Sequence, residues 1–267
     1  MGWSIAEDDN QPDENALKNV TSDRVVYACW EKKHVNSETG EILDSWAEIN
    51  EAMGNGTYSE IYSVGNWKNV NYGSTYGEAV PMEIVAFDTD NMTSGGKAPI
   101  TWIAKGCLLG TYKWNSASDN TGGYYSSLAR QTLENNIFPS MESGPKPYIV
   151  EVSKTERQGS GTSGATVINN YSIWLPSAYE IYGTTLSASN FQESSGNYYS
   201  EAFGSNAQRI KYTTGTSTAV NWWLRTALYS NTDFAVRVTT GGNISNYACA
   251  NSIAFAPGFC TSYNPNA

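Results

Sequence analysis

The sequence predicts an α+β fold: a twisted antiparallel sheet, two short flanking helices and long irregular loops. Short runs of alternating apolar residues bounded by turn residues recur along the chain, as in Val80–Phe87 and around Val236 and Val238. Helical spacing of apolar residues is confined to two longer windows, one from Trp46 to Met53 and one from Tyr125 to Asn136. With 267 residues and a hydrophobic fraction of 40%, the chain is long enough to bury a substantial core in one large domain with a small piece attached.

The small piece is the first 33 residues. Arg24 to Trp30 alternates like a strand. Gly2-Trp3-Ser4 and Val20-Thr21, followed by Val26-Tyr27-Ala28-Cys29-Trp30, resemble the end of the small β-grasp-like repeats of bacterial surface proteins. The start of such a repeat is missing, which implies that residues 1–33 are the C-terminal fragment of one and that the chain was cut from a longer, multi-module protein. Residues 34–267 then form the main domain.

In that domain Ser45 caps a helix through Met53. Trp46, Ile49 and Met53 share one face, Glu48 completes a capping box, and Gly54-Asn55-Gly56 ends the helix. Ile61–Gly65, Trp67–Tyr72, Val80–Phe87 and Ile100–Ala104 read as strands, and Asp88-Thr89-Asp90-Asn91 as an Asx-rich turn. After Gly122-Gly123 a helix over Tyr125–Asn136 carries Leu128, Leu133 and Ile137. Residues 159–166 are a Gly/Ser/Thr surface loop without the lysine of a phosphate-binding loop. Ile173–Ser177 leads into a short helix over Ala178–Tyr182.

Charge and composition exclude several classes. A formal net charge of −10 argues against nucleic acid and anionic membranes as partners. No apolar run is long enough to span a bilayer, and Met1-Gly2-Trp3 lacks the features of a secretory leader. The four cysteines, Cys29, Cys107, Cys249 and Cys260, show no metal-binding spacing. The single histidine, His34, reads as a solvated loop residue and cannot supply a histidine-rich site. Neither a metal nor a cofactor is expected.

The most unusual composition lies at the end. Trp222-Trp223-Leu224-Arg225 opens a segment closed by the apolar run Ile253–Cys260, and Gly241-Gly242 supplies a hairpin turn between them. From Thr226 to Ala267 there is no Lys, Glu, Gln, Met or Trp, although these five types fill 46 of the first 225 positions. At that rate the last 42 residues would hold roughly eight or nine.

Two stretches resemble a known fold family. Trp174-Leu175-Pro176-Ser177-Ala178-Tyr179-Glu180 is similar to the strand–helix junction of the formylglycine-generating-enzyme branch of the C-type lectin fold, and Trp222–Arg225 with Gly241 and Gly258-Phe259-Cys260 to its terminal strands. A closer resemblance covers about residues 40–260. It is to a bacterial and phage domain family, carried in order by Ser45-Trp46-Ala47-Glu48-Ile49, Gly56-Thr57-Tyr58, Ile84–Asp90, Ile100–Lys105, Arg209–Tyr212 and Trp222–Thr226. Members of that family are variable proteins of diversity-generating retroelements, in which adenines of a template are randomised as the C-terminal coding segment is rewritten. Rewritten AAC-type codons yield Asn, Tyr, Ser, Asp, Thr, Phe, Ala, Arg, Cys and Gly among others, but not Lys, Glu, Gln, Met or Trp. Those are the five types missing from the tail.

The resemblance implies a C-type lectin fold and a non-enzymatic ligand-binding protein. It would display a hypervariable surface, about residues 226–252, on a phage tail or bacterial cell surface, and bind a protein or glycan receptor. Any oligomer would form through modules N-terminal to the chain. The expected contact residues are Tyr229, Asn231, Thr232, Asp233, Phe234, Arg237, Thr239, Asn243, Ser245, Asn246, Tyr247, Cys249 and Asn251, all converging on one exposed face. Two alternatives remain. A copper oxidase like the formylglycine-generating branch would need Cys249 and Cys260 as its thiol pair. A purely structural module of a surface protein would have an ordinary tail in sibling genes.

Overall fold

The structure is a computed structural model that describes residues 2–4, 27–29, 32–159, 164–183 and 196–267. Within the N-terminal piece, β1 (Gly2–Ser4) pairs antiparallel with β2 (Tyr27–Cys29). The rest of the expected strand over Arg24–Trp30 lies outside the described residues, as do positions 160–163 of the Gly/Ser/Thr loop.

The first helix, Trp46–Asn55, starts where its sequence says it should. Ser45 accepts from the Glu48 amide and Glu48 accepts from the Ser45 amide, and Gly56 closes the helix at φ 74°. Its apolar face packs on a five-stranded sheet, with Trp46 edge-on to Trp102 at 5.3 Å. In chain order, β3 (Trp67–Val70), β4 (Val80–Phe87), β5 (Ile100–Ala104) and β7 (Ile149–Val150) belong to that sheet, while the short β6 (Tyr112–Lys113) stands apart from it. Next come β8 (Val152–Arg157) and β9 (Thr166–Tyr171), a separate hairpin; β10 (Lys211–Tyr212) and β11 (Ala219–Val220), a small pair; and β12 (Trp222–Ala227), β13 (Phe234–Val238) and β14 (Ile244–Ala248), a three-stranded sheet. β15 (Ser252–Ile253) joins β6, and β16 (Gly258–Thr261) completes the main sheet in the order β3-β4-β5-β16-β7. All strand pairs named here are antiparallel, so the fold is α+β with a curled antiparallel sheet.

β16 is the last strand in sequence, yet it sits between β5 and β7 and is buried along its whole length. Gly258 has no room for a side chain there: a Cβ would lie 2.8 Å from the Trp102 carbonyl oxygen. The neighbouring Phe259 is fully buried against Trp46 and Trp102.

Three local expectations are corrected. Ile61–Gly65 is not a strand; Tyr58–Ile61 forms one helical turn, because a short apolar run carries no period that separates helix from strand. The helix expected over Tyr125–Asn136 is broken once: Gly123–Ser126 ends at Ser127, which caps a fresh start, and Leu128–Thr132 then runs on through a wider stretch, Leu133–Ile137, into Phe138–Ser140. Leu133 and Ile137 are nonetheless buried. His34 keeps a 40% exposed side chain but is not free in its loop, with Nδ1 2.7 Å from the carboxylate of the buried Asp44.

Candidate ligand-binding surface

The tail is carried by β12, all six residues of which are buried. Strands buried on both faces read as continuous apolar runs, and Trp222-Trp223-Leu224 does so. Arg225 interrupts the run and explains how the strand is held. Its Nη1 and Nη2 donate to the two Glu180 carboxylate oxygens at 2.6 and 3.1 Å, and further bonds reach the carbonyls of Leu175 and Thr155. Glu180 also accepts from Lys154 Nζ at 3.1 Å, and Lys154 lies 2.5 Å from Asp90, 2.9 Å from the Tyr199 hydroxyl and 4.0 Å above the Trp174 ring. Asp90 takes further bonds from Thr101 and Asn197.

Two carboxylates and two cations thus cancel inside the core. Burial acts to raise the Asp90 and Glu180 carboxyls, but Lys154 beside the first and Arg225 beside the second outweigh it, and both sit below their ordinary range. Burial likewise works against the Lys154 ammonium, yet its two carboxylates hold its pKa above the ordinary value. Each charge in the network faces an opposite one, and together they serve as a keystone tying the turn after β4, β8, the Ala178–Tyr182 helix and β12. It was missed in the sequence because Asp90 reads there as a turn residue.

The thiols have no such activation. Burial pushes Cys249 up to about 12 and Cys260 well above its ordinary value. Cys260 lies against Thr101 and Asp90, whereas the Cys249 backbone bonds to Trp114, Asn115 and Asp233. Neither is poised as a thiolate.

Beyond β12 the chain builds two connected hairpins. The turn between β12 and β13 is fastened by one side chain: Asn120 Nδ2 lies 3.1, 3.0 and 2.8 Å from the carbonyls of Leu228, Asn231 and Phe234. Asn231 in turn accepts from the Asp233 amide, an Asx turn. At the other end, Gly242 adopts φ 75° between β13 and β14; a Cβ there would fall 2.0 Å from the Asn206 carbonyl oxygen, so only glycine fits.

The register decides which side chains share a face. Arg237 stands opposite Trp223 on one side and Ser245 on the other, and Ala235 opposite Tyr247. These residues form one face. Val238 stands opposite Trp222 and Ile244, Val236 opposite Asn246, and Phe234 opposite Ala248, which makes the other. Of the expected contact residues, Arg237, Ser245 and Tyr247 lie together on the Trp223 face, half-buried. Asn231, Thr232, Asp233, Asn243 and Asn251 are exposed in the flanking turns, with Tyr229 and Thr239 half-buried beside them.

Three expected residues do not join this surface. Phe234 and Asn246 point to the Val236 side, because residues two apart on a strand share a face. Cys249 is fully buried behind the turn. The thirteen side chains therefore do not converge on one face.

Two contacts escaped the sequence reading. Arg157 of β8 stacks on Tyr229 at 4.0 Å, and Arg237 on Tyr247 at 4.3 Å. Tyr247 also leans toward Trp223, ring centres 6.2 Å apart. The Arg157 contact joins distant segments and leaves no local pattern, but the Arg237 pairing follows from counting residues outward from Gly241-Gly242.

Residues 100–262 match a protein family described as a domain of unknown function, DUF6273. The chain belongs to the DUF6273 family. No curated protein and no solved structure matches it. The DUF6273 span runs from the first residue of β5 to the residue after β16. It contains β12–β14, Asn120 and three of the four charged keystone residues, while Asp90 lies outside it.

Proposed function

We propose that this DUF6273 protein is a non-enzymatic binding protein of the C-type lectin architecture that displays a variable surface, rewritten by a diversity-generating retroelement, to a protein or glycan receptor. One observation carries the reading: the five residue types that such rewriting cannot produce are missing from Thr226 onward. That stretch also forms the turns and outer hairpin attached to a fully buried strand. On this reading the surface comprises Tyr229, Asn231, Thr232, Asp233, Arg237, Thr239, Asn243, Ser245, Tyr247 and Asn251. Residues 1–33 are read as the end of a preceding β-grasp-like module, and the setting as a virion tail or bacterial cell surface.

The test is genetic and direct. Sibling copies of the gene are sequenced together with their flanking DNA. Substitutions at AAC-type codons concentrated at those ten positions, with a near-identical template repeat and a reverse transcriptase gene nearby, are the expected result. Substitutions spread evenly over Trp222–Ala267, buried positions included, would sink the proposal and leave a structural surface module in its place.

A further inference from the structure

The tail from Thr226 to Ala267 holds a single cation, Arg237, and a single acid, Asp233. In a protein of net charge −10, with 26 acids to 16 Lys and Arg, a lone arginine should readily find a carboxylate partner. Arg237 has none. It takes part in no ion pair among the described residues. Its Nε is sealed from solvent with no hydrogen-bond partner. The guanidinium carbon instead lies 4.3 Å from the centre of the Tyr247 ring, on the Trp223 face. Opposite it, the Ser245 hydroxyl makes only a long contact, 3.4 Å, to a neighbouring backbone oxygen.

Stacking fixes the plane of a guanidinium and lowers the entropy lost when it forms a paired contact. Unlike the sealed Nε, the two terminal Nη groups are not buried, and beside a hydroxyl free to turn they match a carboxylate accepting two parallel N–H bonds. We infer that Arg237, with Ser245 beside it, is the anchor for a carboxylate on a protein partner, an exposed Asp or Glu side chain. This rests on the binding-surface reading above and names the ligand chemistry of this copy. Two features favour a protein over an acidic sugar. Arg237, Ser245 and Tyr247 lie on a sheet face and line none of the three main cavities among the described residues, which suits a broad contact better than a small ligand. One face of Tyr247 is covered by Arg237, and its ring tilts toward the buried Trp223, leaving little aromatic surface for a sugar to stack on.

The experiment uses the full chain labelled with 15N at arginine, titrated separately with acetyl-Gly-Glu-Gly-amide, its Gln counterpart and methyl glucuronide. The expected result is a saturable shift of the Arg237 Nε–Hε signal with the Glu peptide and none with the Gln peptide. Arg237→Gln should weaken Glu-peptide binding by about tenfold or more, and Arg237→Lys by less, with the melting temperature of both unchanged. Absence of a shift, or equal binding by Arg237→Gln, overturns the inference. Tighter binding of the glucuronide than of the Glu peptide also overturns it, in favour of an acidic glycan. A sibling-gene pattern as expected above, combined with any of these failures, would leave the variable-surface reading standing and remove only this one.

Discussion

Arg225 and Glu180 lie 45 positions apart in sequence and meet through two bonds of 2.6 and 3.1 Å, their side chains only 1% and 2% exposed. The pair fastens the framework strand β12 to the helix Ala178–Tyr182. Removing one charge strands the other in the core. Arg225→Ala is expected to cost about 3–5 kcal/mol, read by denaturant unfolding. A loss below about 1 kcal/mol would show that the pair is solvated in solution.

Trp222 is fully buried, and its indole Nε1 donates to the Arg209 carbonyl. Trp222→Ala should cost about 3–5 kcal/mol from cavity and transfer terms together. Replacing Thr232 and Asn251 together should leave stability within about 0.5 kcal/mol per site, because both side chains are exposed. Equal damage from the two variants would refute the division into framework and surface.

Asn120→Ala deletes the amide that gathers three carbonyls of the 228–234 turn. The expected cost is about 1–3 kcal/mol, since buried acceptors lose their donor. Amide exchange at Asp233 and Phe234 should accelerate while the Ile100–Ala104 strand keeps its protection. Unchanged exchange in the turn would mean that Asn120 is not its fastener.

Stability should respond to pH in two opposite senses. Asp90 and Glu180 have folded pKa values below their unfolded ones, so their stabilisation is present above about pH 4 and fades as pH falls through the folded values. Glu156 behaves the other way. Burial raises it above its ordinary 4.5, despite bonds from Tyr171, Asn169 and the Tyr125 amide and the nearby charge of Arg225. The proton is bound more tightly in the folded state, so stability is full below pH 4.5 and declines as pH rises through the folded value. Glu156→Gln should therefore melt higher than the parent at pH 8, with the gap closing toward pH 4. A lower melting temperature at pH 8 would refute the assignment.

Local signals were legible in the sequence. The Ser45–Glu48 box placed the first helix, alternation placed Val80–Phe87 as a strand and an apolar run placed Ile100–Ala104 as another. The Trp222-Trp223-Leu224 run, read as the block that opens the tail, is the start of a buried strand. Asp90, Lys154, Glu180 and Arg225 were not legible as a group, because their meeting depends on four elements packing and leaves no spacing in the chain. Phe234 is a different case. It lies two residues from Val236, so its place on the Val236 side followed from strand parity alone. Its aromatic character suggested a contact residue, and parity decided otherwise. Cys249 follows the last residue of β14, where the chain turns inward behind Asp233, and no pattern of alternation extends that far.

The position of β16 couples the tail to the whole sheet. The middle of the main sheet is filled by a strand that follows the tail's two hairpins in the chain. A chain that ends early lacks the strand joining β5 to β7, and its core stays open to proteases. On the variable-surface reading, every rewritten segment is followed by this strand, so a copy with a premature stop or a shifted frame destroys its own scaffold. Only copies read in frame through β16 would then fold, and the fold would act as a proofreader of the codons that precede that strand.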